Sequence, residues 1–192
     1  AHSSRPHLGV NAINHMARIV SALEEDHRRL AREPHPLLGP ATCNVGVIHG
    51  GVQVNFVPDE CAIEIDRRLL PGETAEDALR LYGGILDELK SRFPDLDARM
   101  EDPMLTDEAL ETSVDAAIVR TASAVLGGMD LNSEPCGVPF GCDASKLSRA
   151  GIPSIVFGPG SIDRAHAADE FVEIDQIGRA LEFYRGFILR FA

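Results

Sequence analysis

The side chains best placed for chemistry lie near the end of this 192-residue chain. His166 stands in the polar stretch Arg164-Ala165-His166-Ala167-Ala168-Asp169-Glu170, just past an apolar run, where α/β sheets gather their ligands. An imidazole there could bind a metal ion, with Asp169 and Glu170 as carboxylates that orient it from behind. A lone loop histidine is more often an ordinary surface residue. Gly158-Pro159-Gly160-Ser161 follows the apolar run directly and could turn backbone N–H groups toward an anion, although Gly-Pro loops often just turn the chain. Arg68 shares a strand face with Glu64 and Asp66, the pattern of a solvated ion-pair surface. Asp143 reads first as a helix N-cap. His49-Gly50-Gly51 has the letters of an oxyanion strand, but without a nucleophile elbow it reads as a hairpin. The sequence carries no HExxH, no GxxxxGK[ST], no GxSxG and no paired-cysteine zinc spacing.

Those groups need elements to hold them, and the composition allows a substantial core. Apolar residues make up 44% and charged residues 25%, the balance of a globular chain of one large or two small domains. The formal charge of −12 is spread over both halves, which disfavours nucleic acid and anionic lipid as partners. Cys43, Cys61, Cys136 and Cys142 form no framework and read as reduced thiols of a cytoplasmic protein. No stretch has the length of a membrane span, and the start, Ala1-His2-Ser3-Ser4-Arg5-Pro6, has neither an initiator Met nor a signal core.

Periodicity predicts a helix after Pro6 whose apolar stripe is Ile13, Met16, Val20, Leu23, His27 and Leu30, stopped by Pro34 and Pro36. Residues 43–49 and 52–57 read as two strands hinged at Gly50-Gly51, and 60–70 as a third. In the third, Cys61, Ile63 and Ile65 face opposite to Glu64, Asp66 and Arg68. A turn at Pro71-Gly72 leads into a helix over 75–92, buried through Leu79, Tyr82, Leu86 and Leu89, and a short strand follows near 96–102. This order is the ferredoxin-like split βαβ pattern, with another strand expected before Ala1. From about 105 the style becomes α/β: a helix near 111–126, a short helix after Asp143, and a buried strand over 152–157. A last helix should bury Ile174, Ile177, Leu181, Tyr184 and Ile188. The boundary is placed near Met104, giving 1–104 and 105–192.

Four ordered blocks then carry a resemblance across nearly the whole chain. Ala1-His2-Ser3-Ser4-Arg5-Pro6-His7-Leu8-Gly9-Val10-Asn11-Ala12-Ile13 is similar to the opening of the lid domain in one metallopeptidase family. That family includes acetylornithine deacetylase, succinyl-diaminopimelate desuccinylase, aminoacylase and glutamate carboxypeptidase. The other blocks are Gly50 to Pro58, Asp66 to Glu73, and Phe157 to Ser161 with Ala165 to Glu170. The resemblance implies a ferredoxin-like dimerisation lid (1–104) followed by the C-terminal part of an α/β catalytic domain (105–192). It implies hydrolysis of the amide of an N-acyl amino acid or small peptide by two metal ions, usually zinc, with cobalt or manganese as alternatives. His166 takes the position of the family's C-terminal metal ligand. His2 takes that of the lid histidine that steadies the oxyanion in the partner subunit of a homodimer. Asn55 and Arg68 take the positions that hold the substrate carboxylate or tetrahedral intermediate, and Gly160 and Ser161 those of a loop approaching the substrate.

The family's HxD motif, bridging Asp and Glu-Glu pair have no match here. One histidine cannot hold two zinc ions, so the chain is expected to be a fragment of such an enzyme and inactive by itself. A non-catalytic dimerisation or binding module, or one half of a split enzyme, are the alternatives.

Overall fold

The structure, a computed structural model, describes residues 1–165 and 167–191. It divides into two compact units, Ala1–Ala109 and Leu110–Ala192. Its elements are α1 (Ala12–Leu30), β1 (Thr42–Gly50), β2 (Cys61–Arg68), α2 (Ala75–Arg92), α3 (Ala117–Gly127), α4 (Ala144–Arg149) and α5 (Ile174–Phe191). The expected class holds: helices and strands mix, and the first unit is α+β.

In the first unit, β1 and β2 pair antiparallel from Thr42 opposite Arg68 to Gly50 opposite Cys61, with a register shift between Val45 and Val47. The two helices pack on this ribbon through Leu23, Leu30, Ala41, Cys43 and Tyr82, flanked by Ile19, Val45, Ile63, Leu70 and Ile85. Asn11 starts α1 by accepting the Asn14 N–H (2.9 Å), and Thr74 starts α2 by accepting the Asp77 N–H (3.1 Å). The Thr74 hydroxyl also donates to the Asp77 carboxylate, which it and Arg80 hold below the usual carboxylate range. The inward line of α1 is rotated slightly from the expected stripe. Ile19, Leu23, Asp26 and Leu30 face the core, while Ile13 is exposed.

The strand expected over 52–57 does not form: only Phe56 makes a bridge, to His2, and residues 52–54 have no ladder partner among the described residues. β1 instead pairs directly with β2, and residues 51–60 make a loop in which Val52 is 87% and Val54 100% exposed. Their alternation looked like a strand face but has no apolar surface to meet. Gly50 does end the strand: a Cβ there would sit 2.7 Å from the Cys61 sulfur. The segment 96–102 is likewise outside any strand among the described residues.

In the second unit, α3 and α5 pack through Ala122, Val125 and Phe183, with Phe157 and Phe187 around them. The ring centroids of Phe157 and Phe183 are 3.8 Å apart, and Gly186 lets Val125 approach α5 closely. This corrects the expected face of α5. Ile174, Ile177, Leu181, Tyr184 and Ile188 are all exposed, and Ala180, Phe183 and Phe187 point inward. Aromatic stacking on Phe157 decides the rotation of the helix where aliphatic periodicity alone is ambiguous. The segment 152–157 is extended without a ladder. Two of its carbonyls accept from side chains of other segments, the Thr112 hydroxyl donating to Ser154 O and the Tyr184 hydroxyl to Phe157 O (2.9 Å). Helix α3 starts at Ala117, later than 111, after a turn closed by Ala116 N–H on Ser113 O (2.9 Å). Asp143 precedes α4 without capping it; its carboxylate accepts from Lys146 (2.6 Å), which holds it below its ordinary pKa.

The two readings of α5 predict different losses. Phe183→Ala should destabilise the second unit by about 3–5 kcal/mol, whereas Leu181→Ser should change it by no more than about 0.5 kcal/mol. Urea unfolding of both variants checks this; a larger loss for Leu181→Ser would restore the aliphatic face as the core.

Candidate functional site

The first thirteen residues fold back on the 51–60 loop. The arm Ala1–Ser3 runs antiparallel to Asn55–Val57, with Ser3 N–H donating to Asn55 O (2.9 Å), Val57 N–H to Ala1 O (2.8 Å), and His2 opposite Phe56. Ala12 N–H donates to Pro58 O (2.9 Å), and buried Val57 packs under the arm. His2 and Asn55, 53 positions apart in the sequence, thus become backbone neighbours on an exposed surface. The arm then turns, closed by Arg5 N–H on His2 O (2.9 Å). Within that turn the Ser4 N–H donates to His2 Nδ1 (3.1 Å), and the Ser4 hydroxyl lies 2.8 Å from the same nitrogen.

Arg68 is elsewhere. It ends β2 opposite Thr42, whereas the 51–60 loop leaves the ribbon at the Gly50–Cys61 end. Seven residues of strand at ~3.4 Å each put roughly 24 Å between the two ends. The structure therefore does not bring Asn55 and Arg68 of one protomer together. The Arg68 guanidinium is 63% exposed and donates to the Asp66 carboxylate (2.7 Å) on the outward face.

Behind Arg68 is a clasp that its own face conceals. Arg67 lies on the inward face with Cys61 and Ile63, and its side chain is 10% exposed. One guanidinium nitrogen donates to the Arg68 carbonyl and another to Glu73 Oε1 (2.6 Å), while Glu73 Oε2 accepts the Leu70 N–H (2.7 Å). Glu73 N–H donates back to Leu70 O (3.0 Å), closing the Pro71-Gly72 turn. Sequence reasoning passed over Arg67, Glu73 and Ser4. The signal for Arg67 was its place on the apolar side of the β2 alternation.

In the second unit, Gly160 has φ +95°, a conformation that favours glycine, and its N–H donates to Gln176 Oε1 (2.7 Å). That amide is engaged within the unit. Ser161 is exposed and accepts the Asp163 N–H (3.3 Å) at the start of a short 3-10 turn, leaving its hydroxyl proton available. His166 lies outside the described residues. Among those described, no group of three or more His, Cys, Asp and Glu side chains is arranged to hold a metal ion, and no helix is long and apolar enough to cross a membrane.

This α+β unit and its helical companion share a fold with solved peptidases. The structure matches a tripeptidase from Staphylococcus aureus with a TM-score of 0.76 at 24% identity, covering 98% of this chain and 47% of that one. It matches an M20 family metallo-carboxypeptidase from Sulfolobus solfataricus with a TM-score of 0.67 at 19% identity, covering 99% and 55%. Residues 1–93 match the peptidase dimerisation domain of the M20 family. Acetylornithine deacetylase of Myxococcus xanthus is 32% identical over 181 residues, which are 93% of this chain and 46% of that protein. The chain spans about half the length of the curated relatives it matches.

The clasp carries a measurable load. Glu73→Ala should destabilise the first unit by about 1–3 kcal/mol, since it strips a largely buried guanidinium of its charge partner and orphans the Leu70 N–H. Denaturant unfolding of the single and Arg67→Ala double variants reads the coupling; losses that simply add would mean the pair holds nothing.

Proposed function

We propose that this chain supplies the lid and the C-terminal part of the catalytic domain of a metal-dependent amidohydrolase, acting on the amide of an N-acyl amino acid or small peptide. The reading places the boundary between the two near Met104 and the working form as a homodimer through the lid. Its support is the similarity to acetylornithine deacetylases, together with one geometric fact. His2 and Asn55 stand at one end of the β1–β2 ribbon and Arg68 at the other.

That separation argues against a single-protomer site using all three. A substrate the size of an acyl amino acid spans far less than the ~24 Å between the ribbon ends. If all three serve one reaction, His2 and Asn55 reach the site of a second copy, while Arg68 serves another. A two-fold dimer creates two such composite sites. Among the described residues β1 pairs only with β2, and its other edge is one place where a second copy, or a strand outside this chain, could add.

Within a composite site the lid residues would divide the work. Arg68 offers a planar two-pronged donor to the substrate carboxylate, for which it exchanges its bond to Asp66. When water adds to the amide carbon, charge moves onto the former carbonyl oxygen. The His2 imidazole and the Asn55 amide are donors suited to that developing charge. Ser161 adds a hydroxyl donor from the second unit, and the Gly160 loop gives close backbone approach. Zinc, held at His166 with ligands beyond the described residues, would supply the activated water. The described residues do not form that centre, and the steps above run through the lid donors alone.

Subunit mixing in an enzyme of the relatives' full length tests this reading. His2→Ala should keep its metal and lose turnover, and His166→Ala should lose metal. Dimers re-formed from equal amounts of the two should recover about a quarter of the wild-type rate, because half are hybrids and each hybrid has one intact site. No recovery in dimers shown to exchange subunits rejects action across the dimer. The match of residues 1–93 to a dimerisation domain also favours a second reading, a dimerising module without turnover. Stoichiometric zinc binding and unaided hydrolysis of acetyl- or succinyl-amino acids by the present chain would exclude that module.

A further inference from the structure

We infer that Ser4 is a positioning residue for His2: it fixes the imidazole as the tautomer that carries its proton on Nε2 and aims that proton outward as a hydrogen-bond donor. This rests on the reading of His2 as an oxyanion donor and adds how the donor is prepared.

The argument comes from what each group can be. A backbone amide is only ever a donor, so the Ser4 N–H, 3.1 Å from His2 Nδ1, requires a lone pair on that nitrogen. A neutral imidazole with a lone pair on Nδ1 has its hydrogen on Nε2. The Ser4 hydroxyl, 2.8 Å from Nδ1, can rotate to donate as well, so both Ser4 donors favour the same tautomer. The opposite tautomer would set Nδ1–H against the Ser4 N–H.

The backbone holds this arrangement from three sides. Ser3 N–H on Asn55 O and Val57 N–H on Ala1 O tie the arm to the loop, and Arg5 N–H on His2 O closes the turn that brings Ser4 under the ring. The His2 side chain remains exposed, and among the described residues Nε2 has no hydrogen-bond partner. The free donor therefore points to whatever the arm reaches. A donor already in the right tautomer needs no proton rearrangement as charge develops on an oxygen beside it.

Nitrogen-15 NMR of the His2 ring in the present chain tests the inference without any activity. The expected spectrum at neutral pH shows Nδ1 unprotonated and Nε2 protonated. Because free imidazoles already lean toward that form, the decisive comparison is a semisynthetic chain with the Ser3–Ser4 amide replaced by an ester, which removes the Ser4 N–H and keeps its hydroxyl. The ester chain should show a mixed tautomer population, and Ser4→Ala, which keeps the N–H, should keep the tautomer but broaden the side-chain rotamer distribution. A dominant Nδ1–H form, or a ring unchanged in both variants, overturns the inference. In the full-length enzyme, Ser4→Ala should lower kcat several-fold with KM little changed, the split expected when a transition-state donor is loosened. If the tautomer responds to Ser4 while His2→Ala leaves turnover intact, the positioning stands and the oxyanion role of His2 is what fails.

Discussion

The antiparallel register of β1 and β2 is the constraint on which the rest of the lid depends. It sets Gly50 against Cys61 and Arg68 against Thr42, and so fixes which groups leave the ribbon at which end. The N-terminal arm can join only the end where the 51–60 loop emerges, because its two backbone bonds are to Asn55 and Val57. A shift of one residue would turn Arg67 outward and Arg68 into the core. Such a slip is opposed by Ile63 and Val45 in the core and by the Arg67–Glu73 clasp at the far end. The same register therefore secures the core and separates the candidate groups.

The core beneath that ribbon is more polar than its apolar lining suggests. Asp26 is buried on α1, with one oxygen bonded by Arg29 (2.9 and 2.8 Å) and the other without a partner. Tyr82 puts its hydroxyl beside the Cys43 thiol, and Arg67 buries an Nε without a partner. Burial, with Cys43 adjoining, pushes the Tyr82 phenol far above its ordinary pKa, and burial likewise raises the Cys43 thiol. Both stay neutral at physiological pH, so Cys43 acts as a small packing residue and not as a nucleophile. Polar groups in such a core cost stability unless they are matched, and they also disfavour alternative packings that would leave them less well matched.

Much of this was legible in the sequence, and the misses have physical causes. α2 was read correctly through Tyr82 and Leu89 because a capping Thr74 and a clear apolar spacing agreed. The β2 faces were likewise legible from alternation. The 52–57 strand was not, because Val52 and Val54 have the pattern of a strand but lack a neighbour to pair with. α5 failed for a related reason: it has two apolar faces, and only the stack of Phe183 on Phe157 chooses between them. For the site, four sequence blocks pointed to His2, Asn55 and Arg68 but not to their arrangement. Residue types and block order carry no distances, and the pairing register is what sets Arg68 at the opposite end of the ribbon from the 51–60 loop.

The state of Arg68 follows from this separation. Its partner Asp66 is on the same strand face, both groups are more than half exposed, and an ion pair in that setting contributes at most about 1 kcal/mol. A ligand carboxylate could therefore displace Asp66 with little loss, while the Arg68 backbone stays pinned by Arg67 from the inward side. The two adjacent arginines have opposite tasks because strand alternation turns them to opposite environments. Arg67 is largely buried, anchored to Glu73 and structural; Arg68 is solvated and loosely held, which leaves it free to exchange partners. Exchanging the two side chains in thought shows the dependence: an arginine with Arg67's anchors could not reach a ligand, and one with Arg68's exposure could not hold the turn.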